Sequence, residues 1–203
     1  MYARVGNITG ASGSTNPLTS EPTGGLIVAP SGGKYREAAV AGRLYMVSNQ
    51  AAIAVTAAFA ATFTGLAVGN PVGSGVNVSI INVGFGNTVV GVSVGTIGIM
   101  GGASNLLPIT ASLVPANCKL GGPASKCTAT AGQTINAAPA PTLLTVLGET
   151  GTGAVTTWQV HPCNFDIDGR IVIPPGYYFA SYCFMLASAA LQFSFAWEEI
   201  PIV

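Results

Sequence analysis

Charge is what this sequence has least of. Asp, Glu, Lys and Arg make up 7% of its 203 residues, against roughly 25% in soluble domains. From Leu44 to Cys118 there is not one Asp, Glu, Lys, Arg or His. Charged side chains are the usual means of wetting a surface and keeping copies apart, so a chain that lacks them has its exterior covered by other subunits or by lipid. The few charges balance, seven basic against seven acidic. That leaves no net field to attract nucleic acid, an anionic membrane or an acidic substrate.

Histidine is nearly absent too. His161 is the only imidazole, and with Pro162 beside it and Trp158 nearby it reads as a strand end. The serines include no GxSxG elbow between a strand and a helix. The four cysteines, at 118, 127, 163 and 183, form no CxxC pair, and one histidine does not complete a zinc set with them. Cys118 and Cys127 bracket "KLGGPASK", a loop that oxidation outside a cell would close. The opening residues "MYARVGNITGASGSTNPLTS" hold no apolar core of the secretory kind, so synthesis in the cytoplasm without export is the expectation.

One segment raises the lipid alternative. "AAIAVTAAFAATFTGLAVG", Ala51 to Gly69, is uncharged and close to the ~20 residues that span a bilayer as a helix. Eight of its residues are alanine, however, and no Trp/Tyr belt or Lys/Arg cluster flanks it. It does not read as a membrane span, although it is the one serious helical candidate in the chain.

Glycine, by contrast, is abundant, at 27 residues. "GNPVGSGVNVSIINVGFG", Gly69 to Gly86, has the look of a phosphate-binding loop. A Walker loop needs GxxxxGK[ST] between a strand and a helix, so that backbone amides, a helix N-terminus and a lysine receive the phosphate together. Here Ser74 stands where the second glycine belongs, no lysine is near, and the next segment alternates as a strand. "GFGNTVVG" places its third glycine too far along for a dinucleotide fingerprint. These glycines read as punctuation between strands, with Pro71 fixing one backbone angle. "NFDIDG", Asn164 to Gly169, resembles half a calcium loop, but Pro175 occupies the place of the bidentate glutamate. Asp168-Gly169 is better read as a two-residue hairpin turn.

The alternation is that of an all-β protein. Residues 1–34, rich in Gly, Ser, Thr and Pro, form an extended N-terminal arm; residues 35–203 form a single sandwich domain. "KYREAAVAGRLYMVSNQ" suits a turn followed by a strand. Val76, Val78 and Ile80 share one face, as do Val90, Val92 and Val94, and Ile97 and Ile99 continue that second ladder after a slip at Gly95. "LLTVLG", "AVTTWQV" and "GRIVI" add short strands between Gly and Pro breaks, the spacing of a sandwich or barrel. In "LQFSFAWEEI", Leu191, Phe193, Phe195 and Trp197 point one way, each worth about 1.5–3 kcal/mol when buried. Glu198 and Glu199 face opposite sides, so they are not a catalytic carboxylate pair; ion pairing at a subunit boundary, or keeping an edge strand soluble, is their expected part.

"YREAAVAGRLY", the Asn70-Pro71 loop, the Pro174-Pro175-Gly176 turn of "IVIPPGYYF" and the closing strand "FSFAWEEIP" with Trp197, Glu198 and Glu199 resemble virion structural proteins of tailed bacteriophages. That family comprises jelly-roll or β-sandwich proteins in decoration (cement) or knob positions. The resemblance spans about Tyr35 to Val203. It implies a homotrimer on the viral shell, bridging major capsid subunits, with no catalytic residue, no cofactor and no metal to carry over, and neither nucleic acid nor membrane as partner. Two other roles fit the residues: a receptor- or glycan-binding knob in which Tyr177, Tyr178 and Tyr182 stack on sugar, and a self-assembling filament or surface-layer subunit.

Overall fold

A computed structural model describes residues 19–20, 26–27, 33–50, 53–54, 62–87, 95–104, 113–131, 134–136, 139–150, 164–184 and 189–202. The chain divides into two units, Met1–Arg36 and Glu37–Val203. In the first, β1 (Thr19–Ser20) pairs antiparallel with β2 (Leu26–Ile27). A helix of five residues, α1 (Arg36–Val40), precedes β3 (Leu44–Ser48). Next come β4 (Ile53–Ala54), β5 (Thr62–Thr64), β6 (Ala67–Asn70), β7 (Val76–Asn87) and β8 (Gly95–Ala103). The short β9 (Ala116–Asn117), β10 (Thr128–Thr130) and β11 (Thr134–Asn136) lead to β12 (Thr142–Thr150), β13 (Asn164–Ile173), β14 (Tyr177–Phe184) and β15 (Ala189–Pro201).

The second unit is an antiparallel β-sandwich. One sheet runs β13-β7-β15-β3-β9 with β4 beside β15, the other β10-β6-β14-β8-β12, and β5 and β11 make a separate pair. Eight strands have four residues or more: β3, β6, β7, β8, β12, β13, β14 and β15. Numbered one to eight along the chain, they read 6-3-8-1 in one sheet and 2-7-4-5 in the other, so first pairs with last, second with seventh, third with sixth and fourth with fifth.

The alternation explains the core. Leu191, Phe193, Phe195 and Trp197 of β15 are all buried and meet Val68 of β6, Ile97 and Ile99 of β8 and Phe179 of β14 from the facing sheet. Phe179 packs against Phe195, with ring centroids 5.0 Å apart, and edge-on against Trp197 at 6.3 Å. The far face of the second sheet carries a smaller cluster, in which Tyr178, Ala180 and Tyr182 of β14 lie with Met100, Ala67 and Phe63.

Several local expectations change. The turn before β3 is the helix α1. The described parts of the alanine-rich segment are strands apart from the Gly65-Leu66 link, and among the described residues no helix is long and apolar enough to cross a membrane. Asp168 and Gly169 do adopt the left-handed backbone, at φ 55° and 76°, but they reverse nothing. Residues on both sides of them pair with the same strand, Asp166 with Asn82 and Ile171 with Ile80, so 167–170 bulge opposite Ile81 alone. Arg170 holds the bulge, its guanidinium donating to the carbonyls of Ile167 (3.0 Å) and Asp166 (3.3 Å), while the Ile167 side chain drops into the core. The slip expected at Gly95 turns on residues 88–94, which lie outside the described residues; β12 shifts register against β8 between Leu143 and Thr145 and between Val146 and Gly148. Val90, Val92, Val94, Trp158, His161, Cys163 and most of the arm lie outside the described residues.

Candidate functional site

Three of the distinctive stretches of the sequence converge at one end of the sandwich. Asn70 closes β6, residues 71–75 turn the chain, and β7 begins in the other sheet at Val76. The Asn70 side chain is buried and donates to the carbonyls of Val76 (2.8 Å) and Ile173 (3.0 Å). Its own backbone carbonyl accepts from Gly176 N–H at 2.7 Å, and Gly75 accepts from Ile202 N–H at 2.9 Å. One short amide thus ties the Asn70-Pro71 turn to the Pro174-Pro175-Gly176 turn, while the tail after β15 is held by the same loop. The glycine-rich stretch is a strand-to-strand connection, and its Asn70 and Gly75 carbonyls are taken up by the neighbouring turn and tail.

What this end offers outward is apolar and rigid. Val72 is 85% exposed, Ile202 50% and Tyr177 45%, with Ile200 also exposed. No residue of 70–77, 172–177 or 200–202 is acidic or basic, and Pro71, Pro174, Pro175 and Pro201 stiffen the backbone. Fixed apolar side chains lose little conformational entropy on being covered, which makes such an end a ready contact surface. The sequence marked it by its prolines and its lack of charge; that Val72, Ile200 and Ile202 face solvent was not legible.

The charges nearby are spent inside the chain. Glu198 pairs with Arg43 at 3.1 Å. Because β15 lies between β7 and β3, neither glutamate guards an edge strand. Glu199 turns inward, is 4% exposed, and accepts from Ser125 Oγ, from Lys126 N–H (3.1 Å) and from Trp197 Nε1 (3.5 Å). It fastens the 118–127 loop to the core. A buried carboxylate beside a serine and Cys127 resembles catalytic machinery, but the electrostatics run the other way. Burial, and then the adjoining Glu199, push the Cys127 thiol far up, whereas a nucleophilic cysteine needs its thiolate favoured. Burial likewise raises Cys118, and Cys118, Cys127 and Cys183 are all free thiols, so the 118–127 bridge is not formed.

The remaining candidates separate. Tyr178 and Tyr182 are buried and only Tyr177 is exposed, so the three do not make a stacking platform. Asp166 is engaged by Asn82 Nδ2 at 2.9 Å, and among the described residues no three of His, Cys, Asp and Glu gather as metal ligands. Beside β3 lies an open groove of about 460 Å³ whose lining, including Met46, Ser48, Gln50, Val114, Ala116 and Ser194, carries no ionisable group. Set against known proteins, the chain matches no family model, no curated protein and no solved structure.

Proposed function

We propose that this protein is a non-enzymatic structural subunit of a viral particle, a homotrimeric decoration or cement protein that bridges major capsid subunits of a virion. The observation that carries this reading is the proline-stiffened, charge-free end formed by Asn70 to Val76, Ile173 to Tyr177 and Ile200 to Ile202. Large apolar contacts without ion pairs are typical of obligate interfaces. The strand order, with its first-to-eighth and second-to-seventh pairings, supports reading the sandwich as a jelly roll, an architecture used in viral capsids among other settings. Residues 1–34 serve as an arm that orders on a neighbouring subunit and covers a wide surface at the cost of conformational entropy. Binding only the assembled shell stabilises that shell by mass action. The glycan-binding alternative loses its platform with the burial of Tyr178 and Tyr182.

Cryo-electron microscopy of the native particle tests this directly. The expected result is threefold density on the shell with the Val72 end buried against a neighbour. In solution, Val72→Asp should keep the fold and lose attachment to shells stripped of the protein, and deletion of residues 1–34 should leave a folded oligomer that no longer attaches. A purified chain that stays single-copy at high concentration, with no affinity for the shell, would end the proposal.

A further inference from the structure

Leu120 is the most exposed large apolar side chain among the described residues, at 95%, and the loop that carries it is tightly held. The Lys119 carbonyl accepts from Gly122 N–H at 2.7 Å and Gly121 takes the left-handed backbone at φ 77°, which is the glycine position of a type II turn with Leu120 at its outer corner. The turn is braced from behind. Asn117 Nδ2 donates to the Gly42 and Pro123 carbonyls, both at 2.9 Å, its Oδ1 accepts from Lys119 N–H at 2.8 Å, and Lys119 Nζ donates to the Val40 carbonyl at 3.1 Å. The amine is thereby turned back onto the chain, and the tip it leaves is apolar. Leu120 touches almost nothing of its own chain, yet its backbone is already fixed, so covering it costs little backbone entropy.

The same chain carries a hollow of matching chemistry. The groove beside β3 has a volume of about 460 Å³, more than one leucine side chain fills, and no ionisable group in its lining. Its rim includes Met46 (49% exposed) and Val114 (90%), the latter stiffened by Pro115. We infer that the Leu120 turn of one copy seats in the Met46–Val114 groove of the next. This inference rests on the reading of the protein as a homotrimer and names the contact that closes it. A ring of three cannot be built from twofold contacts; each subunit meets its two neighbours through unlike patches, and a fixed knob and a groove are such a pair. Neutrality points the same way, because a groove without ionisable groups would leave an inserted charge unpaired, whereas Leu120 brings none. The contact leaves the Val72 end free for the shell.

The test uses the full chain. Leu120→Asp charges the knob and Val114→Asp the groove, both at exposed positions, so circular dichroism should be unchanged. Each should cut the light-scattering mass after size exclusion to one third of the wild-type value, while Val146→Asp on β12 should leave it unaltered. An equimolar mixture of Leu120→Asp and Val114→Asp retains one intact groove and one intact knob, and at high concentration should form pairs and nothing larger. In the wild type, peroxide oxidation of Met46 should slow as protein concentration rises through assembly. An unaltered mass for either variant, an equal loss with Val146→Asp, a mixture no heavier than its components, or Met46 oxidation independent of concentration would each overturn the contact while leaving the assembly reading intact. A wild-type mass for Leu120→Asp together with lost attachment to stripped shells would overturn it in favour of a shell protein as the occupied partner. A wild-type chain that is single-copy at every concentration would overturn both.

Discussion

Asn70 shows how much one side chain decides here. Its amide is the link between two turns that each cross from one sheet to the other, and no apolar residue supplies the two donors. Asn70→Ala leaves the Val76 and Ile173 carbonyls buried without those partners, a loss of about 2–4 kcal/mol, measurable as a shift in the urea midpoint at constant slope. The buried thiols give a second prediction at this scale. Burial moves Cys183 from its ordinary 9.0 to about 11, and Cys127, Tyr45 and Tyr178 shift in the same upward direction. Above pH 9 the unfolded chain releases the Cys183 proton and the folded chain keeps it, so the unfolded state binds fewer protons and stability falls. The expected profile is flat up to about pH 9 and declines towards pH 11, and Cys183→Ala should make the decline shallower. Stability that rises over this range would contradict the buried-thiol assignment.

At the scale of elements, β15 holds the first sheet together and β8 sets the geometry of the second. Trp197→Ala empties the most crowded part of the core, where Tyr45 and Phe179 meet the indole, and should cost roughly 3–5 kcal/mol. Unchanged melting would show that β15 is not central. In β8, the absent side chain of Gly98 is what lets β12 approach, since a Cβ there would collide with the Thr145 carbonyl oxygen. Gly98→Ala should therefore destabilise by about 1–3 kcal/mol and loosen β12 in particular, seen as faster hydrogen exchange at 142–148 than elsewhere. An even loss of protection across the sandwich would argue against that close approach.

At the scale of the whole molecule, scarcity of charge predicts how copies meet. Arg43 and Glu198 pair within the chain, and the exposed end around Val72 carries no charge. Association should then be insensitive to ionic strength, because there are few ion pairs to screen. Sedimentation from low to high salt should show a constant or slightly rising mass, driven by apolar burial. Dissociation in high salt would mean that charged side chains away from the Val72 end, such as Lys119, Lys126 or Asp168, carry the contact.

The sequence by itself determined the fold class and the core face of its clearest strands. Period-two alternation decides which side chains are buried once one face of a sheet is covered, as in Leu191 to Trp197 and Val76 to Ile80. It also excluded the phosphate loop, because spacing and the missing lysine are local facts. Only the tertiary structure decided the rest. Asp168-Gly169 has the left-handed preference of a hairpin, yet whether such a pair turns or bulges depends on which strand its flanks hydrogen-bond to. Glu199 is a charge in sequence and a buried fastening in space, since its donors Ser125 and Lys126 lie some seventy residues away. Which edges are open, and which apolar residues reach solvent, are properties of sheet order, and sheet order arises from long-range pairing that no local pattern encodes.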